Sequence, residues 1–354
     1  MSEISHRKQD HLDLCATGPV GYRDKTTLLE CVQLVHDALP ELSLDDIDPS
    51  VTVLGKRLKW PILVAGMTGG TAEAAAVNRV LAAVANARGY AFGLGSQRAM
   101  HRQPDLAPTY HVRDVAPDVL LFGNLGMVQA REMTTAQIQA LVDAVAANAL
   151  CIHLNPAMEL VQPGGDRDFR GGSDLFRRLG NELRVPVVAK ETGNGIGPLA
   201  AEKLRAAGVR HVDVSGAGGT SWVGVETLRA ADGAKRLGEA FWDWGVSTAA
   251  AVATCAERGF ETVVATGGVS SGLDVARAVA LGATIAGIAR PALKAFRAGG
   301  REAVDAFFDD VEQAVRAAML LTGSRDIAAL RVAPRMIASP LREWCTAFAP
   351  GALR

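Results

Sequence analysis

Short apolar runs alternate with longer amphipathic stretches along the chain after residue 60. Each apolar run has the length and composition of a buried β-strand, and eight such runs occur. The predicted strands are 62–65, 91–94, 119–122, 150–154, 185–189, 211–214, 262–265 and 284–288. Between them, apolar residues at i, i+3 and i+4 predict helices at 72–88, 135–148, 198–207, 248–258 and 272–281.

Strands that alternate with helices at this interval predict a parallel sheet in an α/β protein. Two architectures share this alternation, an open doubly wound sheet and a closed (β/α)8 barrel, the TIM barrel. Eight units that follow one another without a linker favour the barrel. A chain of 354 residues can form one such barrel with extensions, so we expect a single domain.

The remaining segments predict an N-terminal extension at 1–60, a barrel at 61–298 and a C-terminal helical extension at 299–354. Residues 52–60 resemble a short hairpin that could plug the bottom of the barrel. Residues 301–321 extend the helix after the eighth strand and could pack outside the barrel. The polar, glycine-rich stretches 162–172 and 216–245 are typical of long loops over the open end.

Composition and charge favour a small-molecule partner over a macromolecule. A net charge of -1 and a pI near 6.7 supply no basic surface for nucleic acid or an anionic membrane. No apolar run at the start resembles a signal peptide, and no segment has about 18 uninterrupted apolar residues, so we expect a cytoplasmic protein. The five cysteines form no CxxC motif, which favours reduced thiols over disulfides or a zinc site.

The predicted strands end in glycines and polar residues, and the carboxyl ends of barrel strands surround the active site in this fold. The residues that follow strands one to six are 67–70, 95–98, 123–126, then His153, Asn155 and Glu159, then Lys190 and Glu191, and finally 215–222. Because these ends meet at one face, the recurrence of polar groups predicts a single site there.

Strands seven and eight carry the pattern of a phosphate site. Gly267 and Gly268 follow the seventh strand and precede a predicted helix, and 287–291 follows the eighth strand in the same way. Glycine allows the backbone to approach phosphate oxygens closely, and a helix N-terminus favours an anion. Loops after these two strands hold phosphate in many TIM barrels.

Lys190 ends a predicted buried strand, where a cation requires a partner. One partner is a carboxylate, and Glu191 and Asp213 are the candidates. The other is the N1/O2 edge of a reduced flavin, where negative charge accumulates. Asn124 and Thr220 could donate hydrogen bonds to the same ring.

Seven short segments, in order along the chain, together resemble a known family. They are 7–11 (RKQDH), 67–70 (MTGG), 95–98 (GSQR), 153–156 (HLNP), 218–222 (GGTSW), 241–245 (FWDWG), and Gly267 and Gly268 with 272–274 (GLD). This set is similar to the type 2, flavin-dependent isopentenyl-diphosphate isomerases.

The resemblance implies a TIM barrel that binds FMN, acts with the flavin reduced by NADPH or another donor, and requires Mg2+. It implies a homotetramer or homo-octamer. It also implies conversion of isopentenyl diphosphate to dimethylallyl diphosphate without net redox change, with reduced FMN serving as acid and base. Such chemistry is reasonable, because an isolated alkene needs a strong, well-placed acid in a site that excludes water.

The resemblance also implies roles for individual residues. Arg7, Lys8, Arg98, His153 and Asn155 would bind the substrate diphosphate, and Glu159 would hold Mg2+. His153 and the residue at position 158 would be catalytic, with His11 as a supporting donor. The residues expected to contact FMN are Thr68, Ser96, Asn124, Lys190, Ser215, Thr220, Gly267, Gly268, Ala289 and Arg290.

Two positions depart from the family pattern. The pattern after His-x-Asn-Pro is x-Gln-Glu, with the glutamine beside the alkene, whereas this chain has Met158. Methionine nearly matches glutamine in length and suits an apolar alkene, but it does not relay a proton. Ser270 stands where an arginine or lysine often follows the Gly-Gly-hydrophobic triplet, so the phosphate would lose one cationic contact.

Four functions can be weighed against these residues. The first is the isomerase, with Met158 lowering the rate. The second is a paralogue that acts on another prenyl diphosphate. The third is an FMN-dependent oxidase or dehydrogenase of 2-hydroxy acids, which needs a histidine and arginine pair that the strand ends do not supply. The fourth, a non-catalytic flavin-binding protein, is disfavoured by Glu159 and the cationic residues.

Overall fold

The computed structural model describes the backbone of residues 3–353 and the side chains of Lys8 and of residues 10–353. Eight parallel strands form a closed barrel in which each strand pairs with its neighbours in sequence and the last pairs with the first. They are β1 (Ile62–Val64), β2 (Ala91–Gly93), β3 (Leu120–Gly126), β4 (Ala149–Leu154), β5 (Val187–Glu191), β6 (His211–Asp213), β7 (Thr262–Ala265) and β8 (Ile285–Ile288). The predicted (β/α)8 barrel is confirmed, and the open doubly wound sheet is excluded.

Two strands extend beyond their predicted ends. β3 runs to Gly126, and β5 ends at Glu191, because the polar residues there continue the backbone ladder between β3, β4, β5 and β6. In this ladder His153 pairs with Lys190, and Lys190 pairs with Asp213. Three polar side chains therefore stand side by side at one level of the barrel.

The helices follow the strands as the periodicity predicts, and all five predicted helices are present. The α-helices of the described residues are α1 (Glu3–Thr17), α2 (Ala72–Arg88), α3 (Arg98–Arg102), α4 (Met127–Arg131), α5 (Thr135–Ala144), α6 (Pro156–Val161), α7 (Gly172–Glu182), α8 (Pro198–Ala206), α9 (Trp222–Arg229), α10 (Asp232–Ala240), α11 (Thr248–Glu257), α12 (Gly272–Ala280), α13 (Arg290–Leu320), α14 (Ile327–Val332) and α15 (Leu341–Phe348).

The predicted loop at 216–245 is wrong in part, because it contains α9 and α10. Ser221 caps α9 by accepting a hydrogen bond from the Gly224 amide at 3.0 Å. A Cβ at Gly224 would lie 2.6 Å from the Trp242 ring. Here glycine permits close packing of the polypeptide rather than a turn. The other predicted loop, at 162–172, is a loop between α6 and α7 up to Gly171.

A hairpin closes the bottom of the barrel, as predicted. Strands Val51–Val53 and Lys56–Leu58 pair in antiparallel fashion, and the turn between them places Leu54 and Gly55 at φ 48° and 81°. Positive φ at both central residues is the geometry of a two-residue hairpin turn. Val53 and Leu58 pack on inward-facing side chains of the barrel strands, including Phe122.

The helix that follows the eighth strand, α13, packs outside the barrel, also as predicted. α13 is interrupted at Gly299 and Gly300, whose backbone angles are not helical. After this break, Val304, Phe308 and Val315 share a buried stripe at helical spacing, and the helix packs against α2 and α12. The N-terminal helix α1 contacts α9 and α13 at the open mouth of the barrel.

Candidate active site

A cavity of about 570 Å³ occupies the carboxyl end of the barrel beneath α1. Ligand pockets commonly have volumes of roughly 300 to 1,000 Å³. The residues that line it include Lys8, Thr68, Ser96, Arg98, Asn124, His153, Asn155, Met158, Glu159, Lys190, Ser215, Thr220, Gly267, Gly268, Ala289 and Arg290. The structure therefore brings together the site residues named from the sequence, except Arg7, whose side chain lies outside the described residues.

Several lining residues were not identified from the sequence. Gln162 follows Glu159 by three positions and lies in the same wall, and Lys294 follows Arg290 by four positions on α13. Helical spacing could have indicated both residues. Tyr22 and Gln129 also line the cavity, and nothing in their local sequence marks them as site residues.

His153 is held by Asn124 on the neighbouring strand. The His153 Nδ1 and the Asn124 Oδ1 are 2.8 Å apart, while the Asn124 Nδ2 donates to the Leu94 carbonyl at 3.1 Å. This second bond orients the amide, so its oxygen faces the ring and accepts a hydrogen bond from the Nδ1–H group. The tautomer assigned in this way leaves Nε2 as a lone-pair acceptor.

The surroundings of His153 keep the imidazole neutral. Burial lowers its pKa to about 3, and the charges of Lys190, Arg98 and Lys8 act in the same direction. A neutral ring with Nδ1 protonated does not donate from Nε2. His153 can therefore donate from Nε2 to a diphosphate oxygen only if the ring gains a proton as the anion enters.

Glu159 is fixed at the start of α6 by three donors. The Asn155 Nδ2 donates to Oε1 at 2.9 Å, and the Gln162 Nε2 and the Asp166 amide donate to Oε2 at 3.2 and 2.8 Å. Only 5% of Glu159 is exposed. Among the described residues that line the cavity, Glu159 is the only carboxylate.

Met158 lies next to this group and is also largely buried, with 9% exposed. Its Sδ is 4.0 Å from the Asn155 Nδ2, which itself donates to Glu159. Sulfur is a weak acceptor, so this contact holds the thioether only loosely. The cavity wall at this position is apolar.

Lys190 pairs with one of the two carboxylates that the sequence suggested, that of Asp213. Its Nζ is 3.7 Å from Asp213 Oδ2 and donates at 2.7 Å to the backbone carbonyl of Glu191. Asp213 is buried, which raises its pKa, and it also accepts from the Thr266 hydroxyl. The predicted ion pair with Asp213 is thus present, and Lys190 nevertheless lines the cavity.

The loops after β7 and β8 converge on the other side of the cavity. Gly267 and Gly268 have φ of 100° and 76°, and a Cβ at Gly267 would lie 2.1 Å from the Gly216 carbonyl oxygen. Ala289 and Arg290 begin α13 in the same wall. Backbone amides, a helix N-terminus and a cation at one place fit the phosphate group of a nucleotide cofactor such as FMN.

Ser270 does not line the cavity. Its backbone amide and hydroxyl both donate to Asp274 Oδ2 at 3.1 Å, which also caps the start of α12. The side chain at this position is therefore directed to the helix cap. On α13, Lys294 is an exposed cation at the cavity wall.

Helix α1 is bound to the barrel by polar contacts. The Lys8 Nζ donates to the Tyr110 hydroxyl at 2.8 Å, and the His11 Nε2 is 2.8 Å from Glu226 Oε1. Burial opposes ionisation of Glu226, but the contacts with His11 and Arg229 outweigh it and lower its pKa. At the end of α1, Arg290 donates to the carbonyls of Cys15 and Gly18.

The donor set fits a magnesium ion only in the presence of a ligand. Among the described residues, no group of three or more His, Cys, Asp or Glu side chains converges on one position. Mg2+ usually keeps several waters and binds through one or two carboxylates plus phosphate oxygens of a substrate. Glu159 satisfies the protein part of that requirement.

No helix in the described part of the chain is both long and apolar enough to cross a bilayer.

Sequence comparison identifies relatives along nearly the whole chain. A family model described as FMN-dependent dehydrogenase matches residues 166–338. An isopentenyl-diphosphate delta-isomerase of Methanothermobacter thermautotrophicus is 42% identical over 342 residues, which cover 96% of this chain and 95% of that protein. The corresponding protein of Nostoc sp. is 46% identical over 297 residues, covering 83% and 85%.

Solved structures share the fold at much lower identity. Lactate oxidase from Pediococcus acidilactici superposes with a TM-score of 0.69 at 16% identity, covering 95% of this chain and 94% of the oxidase. A mandelate oxidase superposes with a TM-score of 0.66 at 18% identity, covering 95% and 98%. At these identities the likeness shows a common barrel fold and nothing about the reaction.

Proposed function

Because the chain belongs to the type 2, FMN-dependent isopentenyl-diphosphate delta-isomerase family, we propose that it converts isopentenyl diphosphate to dimethylallyl diphosphate with reduced FMN and Mg2+. The observation that carries this proposal is the meeting, in one cavity, of the β4 residues with the glycine loops of β7 and β8. NADPH or another donor would reduce the flavin in the cytoplasm, and the protein would act as a homotetramer or homo-octamer.

The substrate diphosphate would bind between α1 and the start of α3. Lys8 and Arg98 supply cationic groups there, and Asn155 would orient the anion, with Arg7 as a further cation. Charge-assisted hydrogen bonds of this kind are roughly twice as strong as neutral ones. In addition to burial, the charges of Lys8 and Arg98 lower the pKa of His153, so an arriving anion would offset their effect on the ring.

Glu159 would hold Mg2+ against the diphosphate. Its three donors keep the carboxylate in one orientation. The side-chain oxygen of Gln162 could serve as a second ligand, because its nitrogen already donates to Glu159. Glu159 and Gln162 would thus supply the protein ligands, and substrate phosphate oxygens and water would supply the others, as is usual for Mg2+.

FMN would occupy the other side of the cavity. When bound and reduced, it would supply the acid and base that exchange a proton with the alkene. Lys190 and Asn124 would contact the ring, together with Thr68, Ser96, Ser215 and Thr220. The phosphate would lie on Gly267, Gly268, Ala289 and Arg290, with Lys294 as the cation that Ser270 does not supply.

Met158 favours a second candidate, a paralogue that acts on a different prenyl diphosphate. The thioether makes the wall beside Asn155 apolar, and an apolar wall suits a longer or branched hydrocarbon chain. A 2-hydroxy-acid oxidase has less support, because the oxidases share the fold at 16% to 18% identity, whereas the isomerases share 40% to 46% of the sequence.

The decisive experiment is an anaerobic incubation of the protein with isopentenyl diphosphate, FMN, a reductant and Mg2+. Dimethylallyl diphosphate is measured by chromatography for the wild type and for Met158→Gln. We expect product from both, with a rate about tenfold higher for Met158→Gln, because glutamine can hydrogen-bond near the reacting alkene.

Each other outcome has a distinct meaning. No product from either protein, with reduced FMN bound, would exclude the isomerase. A gain in Met158→Gln combined with turnover of another prenyl diphosphate by the wild type would support the paralogue. Oxygen-dependent consumption of lactate or glycolate would instead indicate the oxidase.

A further inference from the structure

Glu191 is a buried carboxylate at the end of β5 that none of the proposed roles uses. Only 6% of it is exposed. Its Oε2 accepts hydrogen bonds from four successive backbone amides, those of Thr192, Gly193, Asn194 and Gly195, at 2.5, 2.7, 2.5 and 3.1 Å. Successive amides that turn toward one point form a concave anion site, which proteins commonly use for phosphate. Here the chain's own carboxylate fills it.

Two glycines allow the 192–195 loop to turn its amides toward one point. Gly193 and Gly195 have φ of 130° and 78°, values that side chains disfavour. A Cβ at Gly195 would also lie 2.3 Å from the Val246 carbonyl oxygen. Without the Glu191 carboxylate, a loop of this shape would leave several amide N–H groups directed toward one point with no acceptor. The carboxylate therefore stabilises the loop.

The carbonyl oxygens of the same loop face outward and accept hydrogen bonds from other segments of the chain. The Tyr22 hydroxyl donates to the Gly193 carbonyl at 2.7 Å, and the Val246 amide donates to the Asn194 carbonyl at 2.8 Å. Thr192 and Gly193 themselves line the cavity, as does Tyr22. The loop therefore joins β5 to the N-terminal extension and to the segment that precedes α11.

Lys190 depends most directly on this arrangement. Its Nζ donates to the Glu191 carbonyl at 2.7 Å and lies 3.7 Å from Asp213 Oδ2. The Glu191 carbonyl points to Lys190 only while the peptide that follows it keeps its orientation. That peptide's amide belongs to Thr192 and donates to the Glu191 carboxylate.

We propose that Glu191 is a positioning residue whose carboxylate orders the 192–195 loop and thereby holds the Lys190 ammonium at the flavin-facing wall of the cavity. This inference rests on the proposed function, in which Lys190 contacts the reduced flavin ring. It assigns to Glu191 no contact with flavin or substrate. Its effect passes through the Thr192 peptide to Lys190.

The protonation state of Glu191 determines the pH at which the test is made. Burial raises its pKa to about 7, while the amides of Asn194, Thr192 and Gly193 and the Lys190 charge favour the carboxylate. Measurements are therefore made at about pH 8, where the carboxylate is ionised and the flavin-binding protein can be compared with an uncharged variant.

The test measures the two-electron reduction potential of FMN bound to the wild type, Glu191→Gln, Lys190→Met and the double variant, by anaerobic titration with a reference dye. We expect a more negative potential in Glu191→Gln, because a displaced ammonium stabilises the reduced flavin less. Lys190→Met should shift it further in the same direction. In the double variant, Glu191→Gln should add nothing, since its effect requires Lys190. Glu191→Asp, which keeps the charge, should recover part of the shift.

Glu312→Gln is the matched control. Glu312 is also a largely buried carboxylate, but it accepts from Tyr90 and Arg88, and none of these three residues lines the cavity. We expect it to lower the melting temperature without moving the flavin potential. An unchanged potential in Glu191→Gln, or an equal shift with and without Lys190, would overturn the inference.

The isomerase assay on the same samples separates this inference from the proposed function. A wild type that isomerises its substrate while Glu191→Gln leaves the potential unchanged would refute only the role of Glu191. A wild type that binds FMN without isomerising, combined with the expected shift, would refute only the proposed reaction. A wild type that binds no FMN would refute both.

Discussion

The two ends of the barrel are both covered by the N-terminal extension, but with opposite results. At the bottom, Val53 and Leu58 of the hairpin pack directly on the strand side chains and fill the space. At the top, α1 presents Lys8 and His11 to the barrel mouth, and a cavity of about 570 Å³ lies below it.

The difference shows that the chemistry of the covering side chains decides whether an end of the barrel is packed or contains a cavity. Apolar side chains gain free energy by close contact, so the bottom is packed. Charged and polar side chains lose hydration when they are buried, which costs free energy unless a hydrogen bond or a ligand compensates them. The polar side chains at the top therefore do not pack into a closed core. We therefore expect substitutions at the top to alter the chemistry and substitutions at the bottom to alter stability.

The largest effect is expected at the top, for Glu159→Gln. Loss of the carboxylate should lower the isomerisation rate about 1,000-fold, or about 4 kcal/mol in the activation barrier. It should also raise the Mg2+ concentration needed for half-maximal rate. Product formation is measured over a Mg2+ titration, with Glu132→Gln as the control because Glu132 is exposed outside the cavity. A Mg2+ dependence equal to that of the wild type would remove Glu159 from the metal site.

At the bottom, Leu58→Ala should act on stability alone. Leu58 is 2% exposed, and truncating a buried leucine costs about 3 kcal/mol. Urea unfolding measures the loss, and the affinity for FMN should stay within twofold of the wild type, or about 0.4 kcal/mol. Leu199→Ala is the control, since Leu199 is 72% exposed. A large loss of FMN affinity in Leu58→Ala would show that the two ends are coupled.

The smallest effect at neutral pH is expected from the protonation of His153, which should report whether the top of the barrel binds an anion. Without a ligand its pKa is about 3, below the ordinary value of 6.5. Its contribution to stability is therefore complete above pH 6.5 and is lost as the pH falls toward 3. Binding of inorganic diphosphate with Mg2+ should raise this pKa, because the anion offsets the charges of Lys190, Arg98 and Lys8.

Nuclear magnetic resonance of labelled histidine measures this titration, and His153→Asn identifies the signal. Asparagine removes the titrating ring and keeps a polar side chain at the site. A ring that titrates near its ordinary pKa in the ligand-free protein would contradict the neutral state. A pKa unchanged by diphosphate would mean that the anion binds away from His153.

Most of the barrel could be predicted from local patterns, because strands and helices have distinct periods that a single sequence displays. The errors lie where one residue type has two uses. Glycines at 224 and 238 suggested a loop, yet they allow close helix packing. The end of β5 was placed too early, because the polar Lys190 and Glu191 continue a backbone ladder.

The candidate site was predicted to a similar extent, through its strand-end residues. Lys190, His153 and Glu159 line the cavity with the glycine loops, and their roles remain predictions. Gln162 and Lys294 were missed although their helical spacing from Glu159 and Arg290 could have indicated them. Tyr22 was beyond prediction, since its position depends on a hydrogen bond to Gly193, distant in the chain.

The eight strands, their glycine-rich and polar ends and the family could be read from the chain alone, because these depend on the order and type of neighbouring residues. The neutral state of His153, the carboxylate of Glu191 among four amides, and the contacts of α1 through Lys8 and Arg290 emerged only from the folded protein. Each of these depends on burial and on the distance between groups that the fold brings together, and neither quantity is written in the local order of residues.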